Sequence, residues 1–312
     1  MRDVPSTPVD YQALLDEIGR EVIPLYGQGK VASYIPALAR VPVRKFGMAL
    51  TTLDGKTYAT GDAAEPFSVQ SITKMITLSL AMSYLGNELW HRVGREPSGN
   101  PFNSLIQLEY EHGVPRNPFI NAGALVIADI VATHNPDPKN LILNFARRNS
   151  GNPNVAFDLE VARSEAETGH RNAAMAHFMK AHGNIEGVVE TVLDVYFTQC
   201  SLAMSCIDLS RCYLHLANQG RSPITGDEVT TPRKTRRINA LMLTCGLYDA
   251  AGRFAYQVGL PAKSGVGGGI VAIAPRHFAA CVWSPELDES GNSVLGAAAL
   301  EHLTSRTSVS IF

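Results

Sequence analysis

Two stretches that read as β-hairpins lie near opposite ends of this 312-residue chain, and most of the chain between them reads as helix. The first hairpin runs from Phe46 to Leu53, turns at Asp54-Gly55 and returns over Lys56 to Thr60. Asp-Gly supplies the positive φ angles that a tight hairpin turn needs. The second joins Gly269–Ala274 to His277–Trp283 across Pro275-Arg276. Strands that do not alternate regularly with helices disfavour a doubly wound parallel sheet. The expected fold is therefore α/β of the α+β kind. A mainly antiparallel sheet comes from the N- and C-terminal parts, flanked by helices, with an all-helical subdomain inserted. Residues 1–70 and 221–312 make the sheet part and 71–220 the mainly helical part, within one domain spanning 1–312.

Helical spacing supports this division. Leu14, Leu15, Ile18, Val22 and Leu25 recur on one face of Tyr11–Tyr26, and Val294–Leu303 reads as a closing helix. The Ala-, Leu- and Met-rich middle breaks at Gly and Pro into loops expected at 95–103, 113–120, 134–138 and 150–156.

Composition excludes several classes. Hydrophobic residues make up 45% and charged residues 18%, below the usual quarter or so, and a chain of this length with such a composition buries a sizeable core. With 27 Lys+Arg against 29 Asp+Glu the net charge is −2, which gives no basic footprint for nucleic acid. The cluster Arg233, Lys234, Arg236 and Arg237 has no aromatic residue within it and reads as a solvated helix start. Met75–Asn87, the longest uncharged apolar run, is well short of the roughly 20 residues that span a bilayer. Met1–Asp10 has no apolar stretch of the kind that marks an export signal. Five cysteines without a C-x-x-C suggest neither a disulfide framework nor a zinc ribbon, and a reducing, cytoplasmic location is expected. The nine histidines show no H-E-x-x-H, and His170, His177 and His182 read as solvated. No metal or organic cofactor is expected.

The candidate chemistry starts at Ser71-Ile72-Thr73-Lys74, where Ser71 opens an apolar helix. Residues three apart share a helix face, so hydroxyl and amine are expected as neighbours. Serine needs a base to become a nucleophile, and a buried Lys with a depressed pKa is one. A helix N-terminus adds free N–H groups for a developing oxyanion. By itself S-x-x-K equally describes a capping Ser and a surface Lys. The second element is Lys263-Ser264-Gly265, followed by Val266-Gly267-Gly268-Gly269 and an apolar strand. S-x-x-K followed by K-T-G is a signature of penicillin-recognising enzymes, and K-S-G sits here where that architecture needs it. The phosphate-loop alternative fails because a strand, not a helix, follows. Lys263, as a second cation, is expected to keep Lys74 uncharged.

Many local strings then resemble one family, the serine-dependent glutaminases, whose fold is of the penicillin-binding/β-lactamase kind. They include Ser33-Tyr34-Ile35-Pro36, Phe67-Ser68-Val69-Gln70-Ser71-Ile72-Thr73-Lys74, Glu96-Pro97-Ser98-Gly99 and Asn117-Pro118-Phe119-Ile120-Asn121-Ala122-Gly123-Ala124. Further on come Ser164-Glu165, Glu167-Thr168-Gly169-His170-Arg171-Asn172, Cys245-Gly246-Leu247-Tyr248-Asp249, Gly259 to Val266, and Trp283-Ser284-Pro285 with Gly291-Asn292-Ser293. They run over nearly the whole chain, so 1–312 is expected to be one catalytic domain. Departures are small: His170 stands where Asp is usual, and Thr73 where Ser is common.

The resemblance implies hydrolysis of L-glutamine to L-glutamate and ammonia without a cofactor. It implies substrate contacts at Tyr34, Ser71, Asn121, Glu165, Asn172, Tyr196, Tyr248 and Val266. The catalytic set is Ser71, Lys74, Tyr248 and Lys263. This suits the chemistry of a free amino acid: Glu165 pairs with the ammonium, and Asn121, Asn172 and tyrosine hydroxyls donate to the carboxylate. Glu165 and Asn172 are seven apart and share a face if their stretch is one helix. The expected partners are a small-molecule substrate and further copies of the chain, as a homodimer or homotetramer, with no nucleic acid and no membrane. Three rivals stand beside this reading. A penicillin-binding protein or β-lactamase would normally carry an export signal, and an S-D-N string is missing. A Cys-dependent amidotransferase needs a reactive Cys at a sharp turn, which none of the five has. A non-catalytic amino-acid sensor on the same fold would tolerate loss of Ser71 or Lys74, and both are retained.

Overall fold

A computed structural model of the chain describes residues 9–99 and 104–312. Part of the loop expected at 95–103, and most of the N-terminal stretch Met1–Asp10, therefore lie outside the described residues. At the first hairpin, strand β1 (Gly47–Thr52) pairs antiparallel with β2 (Thr57–Gly61), with Thr51 opposite Thr57. Three short strands follow: β3 (Phe67–Ser68), β4 (Ala156–Phe157) and β5 (Leu202–Met204). Near the C-terminus come β6 (Ala262–Ser264), β7 (Gly269–Ala274) and β8 (Phe278–Trp283). The order in the main sheet is β2-β1-β8-β7-β6, antiparallel throughout. The two hairpins thus join through β1 and β8, with Ala49 opposite Cys281.

Alternation along each strand divides the core. Met48, Leu50, Ile270, Ala272, Phe278, Ala280 and Val282 face one side, against Leu15 and Ile18 of helix Tyr11–Glu21 and Leu295, Ala299 and Leu303 of helix Val294–Thr307. Ala49, Val271, Ile273, Ala279, Cys281 and Trp283 face the other side and join the core of the helical block. Period-two side chains with helices on both faces explain why β7 and β8 read as continuous apolar runs rather than as alternating ones.

In the helical block, Lys74–Leu85 and Asn121–His134 pack on each other, and Val189–Cys200 packs on Asn121–His134. Helices apolar on nearly every side are buried ones, as these two are. The block is not purely helical, as the sequence reading had it. Strands β4 and β5 lie inside it and pair with β3 to make a second, three-stranded sheet. The basic cluster sits at the start of helix Pro232–Cys245, capped by the Thr231 side chain, with Arg233 and Arg236 exposed. All five cysteines are free and buried. Among the described residues no helix is long and apolar enough to cross a membrane.

Candidate active site

Strand β3 delivers the chain to Ser71. The Phe67 ring stacks on Trp283 at 4.9 Å, which ties this approach to the main sheet. Ser71 does not open the helix directly. It lies in a 3-10 turn, Gln70–Thr73, and the α-helix begins at Lys74. Gln70 takes φ +52, a strained value for a non-glycine residue immediately before the serine. The turn is pinned by Thr73 Oγ1 donating to Gln70 O at 2.8 Å and by the Tyr213 hydroxyl donating to Ile72 O at 2.9 Å.

Lys74 is fully buried beneath this turn. Its Nζ donates to Phe119 O at 3.0 Å and Asn121 Oδ1 at 2.9 Å, and lies 5.9 Å from the centre of the Tyr196 ring. Burial pushes the Lys74 pKa down to about 8, against the opposing pull of Cys200 and Glu165. The Phe119 carbonyl is held in place by Asn117, whose Oδ1 accepts from the backbone N–H of Phe119 and Ile120. Gly123 makes this approach sterically feasible, because a Cβ there would sit 1.9 Å from Asn117 O.

The K-S-G segment forms edge strand β6 and its exit, and it runs along the Ser71 turn. A Cβ on Gly265 would lie 2.5 Å from Val69 O and 3.3 Å from Ser71 N, so only glycine permits this contact. Lys263 is fully buried, and its Nζ donates to Gly246 O at 3.1 Å and Ser264 O at 2.6 Å. It also sits 4.7 Å from the centre of the Tyr248 ring. Burial, and then the charge on Lys74, drive the Lys263 pKa well below the ordinary lysine value. Burial is the main cause of the low Lys74 pKa, as expected, whereas Lys263 is not among its causes and is itself lowered by the Lys74 charge. Tyr248 adopts φ +56 and directs its buried hydroxyl toward Ser71 and Ser264. Burial raises that phenol to about 12, and hydrogen bonds with the two serines hold it from rising further.

Above the turn opens a cleft. Its walls bring together Tyr34, Ser71, Asn121, Glu165, Asn172, Tyr196 and Val266. Lys74, Lys263 and Tyr248 are not among its lining residues. Glu165 is 7% exposed, and burial lifts its pKa to about 7 although a Gln70 hydrogen bond and the Lys74 charge work to lower it. Asn121 Nδ2 donates to Asn172 Oδ1 at 3.1 Å. Burial drives the Tyr196 phenol well above its usual range, so it is a neutral donor. Tyr34 is at the rim, 57% exposed. Glu165 and Asn172 do not share one helix. Leu159–Thr168 ends and His170–Ala181 begins around Gly169, and the two residues meet across that break.

Six lining residues carried no assignment from the sequence: Ile35, Gln70, Thr168, Gly169, Arg171 and Cys200. Gln70 Nε2 donates to Ser68 Oγ at 3.0 Å, and its side chain holds Glu165. It lies inside the string that marks Ser71, but nothing in that string signals its partners. Cys200 lines the cleft as a neutral thiol, since burial raises its pKa strongly. His170, His177 and His182 are exposed, and among the described residues no three His, Cys, Asp or Glu side chains converge as a metal site.

The family model described as Glutaminase matches residues 29–312. A glutaminase of Aeromonas salmonicida is 55% identical over 300 residues, covering 96% of this chain and 98% of its own length. One of Shewanella putrefaciens is 56% identical over 301 residues, covering 96% and 99%. Among solved structures, a probable glutaminase from Bacillus subtilis complexed with 6-diazo-5-oxo-L-norleucine superposes with a TM-score of 0.88 at 33% identity, covering all of both chains. A second structure is the covalent complex of a Bacillus subtilis glutaminase with 5-oxo-L-norleucine, formed by reaction with the diazo compound. It matches with TM-score 0.88 at 34% identity, over 97% of this chain and 100% of that one.

Proposed function

The chain belongs to the glutaminase family and hydrolyses L-glutamine to L-glutamate and ammonia, and we propose that it does so through a γ-glutamyl ester on Ser71. The observation that carries this reading is Ser71 at a strained turn above a buried lysine whose amine is neutral from mildly alkaline pH upward. Ser71 Oγ attacks the side-chain amide carbon while Lys74 takes the hydroxyl proton. Backbone N–H groups of Ser71 and Val266 receive the oxyanion. The Tyr248 hydroxyl, which keeps its proton up to about pH 12, passes one to the departing ammonia, and the proton that Lys74 took from Ser71 returns to Tyr248. Water then hydrolyses the ester. Lys263, its pKa lowered by burial and its amine hydrogen-bonded beside the Tyr248 ring, supports that hydroxyl.

Recognition divides between the two ends of the amino acid. Glu165 is an acceptor for the ammonium, and the approach of that cation favours the ionised carboxylate. Asn172, Asn121 and the tyrosines Tyr34 and Tyr196 supply donors for the α-carboxylate. The whole of 1–312 acts as one catalytic unit in this reading. The protein works in the cytoplasm, in keeping with five free buried thiols. It assembles as a homodimer or homotetramer, which light scattering on the purified protein tests directly. The decisive assay for the reaction is ammonia release from L-glutamine, L-asparagine and D-glutamine by wild type and Ser71→Ala. Turnover that survives in Ser71→Ala removes the serine ester.

A further inference from the structure

Lys74, Asn121 and Asn172 are linked by hydrogen bonds whose direction matters for the base. Lys74 Nζ lies 3.0 Å from Phe119 O and 2.9 Å from Asn121 Oδ1. Both oxygens accept, so together they engage two N–H bonds. A neutral amine has two N–H bonds and one lone pair. With both N–H bonds engaged, the lone pair is left in the remaining tetrahedral direction.

Phe119 O is backbone and cannot turn, but the Asn121 amide can present either end. Flipped, it would aim an N–H at the amine and donate into the lone pair, which removes the base. Asn172 opposes the flip, because its Oδ1 accepts from Asn121 Nδ2 at 3.1 Å. After a flip two amide oxygens would face each other. Asn172 is then left with its own Nδ2 for the cleft that it lines. On the reading of this cleft as the glutamine site, the substrate's α-carboxylate accepts from that Nδ2. It thereby fixes Asn172, and through it Asn121.

We propose that Asn121 and Asn172 form a relay of amide orientations that keeps the lone pair of Lys74 free for the Ser71 proton. The two asparagines are positioning residues for the base in addition to any contact with substrate.

The test uses phenylmethylsulfonyl fluoride, which has neither an α-carboxylate nor an ammonium. Ser71 Oγ forms a bond to sulfur, the S–F bond breaks, fluoride leaves, and the hydroxyl proton goes to Lys74. Inactivation rates are compared on the alkaline plateau of each protein. Asn172→Leu removes the acceptor that restrains Asn121, and its labelling is expected to slow at least about tenfold, the low side of what a positioned base contributes. Asn172→Asp presents oxygen to Asn121 Nδ2 in either rotamer. It is expected to label within about threefold of wild type even though its KM for glutamine rises, the general-base factor being retained. Residues that only touched substrate would change neither labelling rate. A wild-type rate for Asn172→Leu, or an Asn172→Asp rate as slow as that expected for Leu, overturns the relay. If Asn172→Leu does not fold, the Asp variant decides alone by the same criterion. No label on wild-type Ser71 would overturn the nucleophile assignment and the relay together.

Discussion

Lys74 and Lys263 place two amines in one dry interior, and the charge on Lys74 helps to drive the Lys263 amine below its ordinary pKa. Two ammonium groups so placed do not both stay charged at neutral pH.

Activity should therefore rise with pH. Glu165 must be ionised to pair with the ammonium, which it becomes above about pH 7. Lys74 must be neutral, which it becomes above about pH 8. Both conditions fail in acid, so log kcat/KM is expected to climb most steeply below about pH 7 and to level off on the alkaline side of 8. A profile that is flat or falling between pH 6 and 8 contradicts both assignments.

Lys263→Met separates charge from support. Because burial is the main cause of the low Lys74 pKa, the rising limb should stay within about half a pH unit of wild type while kcat drops. A limb displaced by a full unit toward alkaline pH would restore Lys263 as the tuner expected from the sequence.

Label transfer identifies the nucleophile. 6-Diazo-5-oxo-L-norleucine should modify Ser71, and peptide mass mapping reads the site. The alternative residue is built into the same cleft: adduct on Cys200 would reject the serine mechanism, although its raised thiol pKa argues against that outcome.

Glu165→Gln should weaken glutamine binding by about 2–5 kcal/mol, the scale for breaking a buried charge pair. The same variant should melt at a higher temperature than wild type. The folded-state pKa of Glu165 is raised from 4.5 to about 7, so the folded protein holds that proton more tightly and loses stability as pH rises through this window. Relief on the order of 1–3 kcal/mol is expected above pH 7, shrinking toward zero below 4.5. An unchanged KM, or a melting gap that does not depend on pH, would count against a buried carboxylate reading the ammonium.

Side-chain length sets specificity. Asparagine is one methylene shorter than glutamine, so an amino acid held at both α-substituents cannot bring its amide carbon within the ~3–3.5 Å that attack requires. Glutamine should be preferred at least about tenfold in kcat/KM, a modest estimate for such a misplacement. Equal values for the two amides would reject a pocket anchored at the α-carbon.

Much of this was legible in the residues because it rests on local chemistry. Asp54-Gly55 marks its hairpin without tertiary help, and the apolar runs after Gly269 and His277 mark theirs. The spacing of Ser71 and Lys74 suggested a serine beside a buried lysine, and Lys74 is fully buried one turn on from Ser71. What could not be read was long-range or too short to have a period. Strands β4 and β5 are two and three residues long and exist because β3 and each other are there to pair with. The break at Gly169 hid that Glu165 and Asn172 meet between helices rather than along one. Lys74 bonding to Asn121, and Tyr248 reaching Ser71, depend on segments brought together only by the folded core.

The pairing of β1 with β8 has a consequence for how the protein is made. Met48 lies opposite Val282, and the sheet core cannot close until the ribosome has delivered nearly the whole chain. Contacts of such sequence separation form slowly, since a long loop must close before they contribute. Ser71 emerges early but meets Lys263 and Val266 only at that closure. A nascent chain therefore carries Ser71 for most of synthesis without the segment from Lys263 to Val266, and under the proposed mechanism hydrolysis begins only after the last strand is in place.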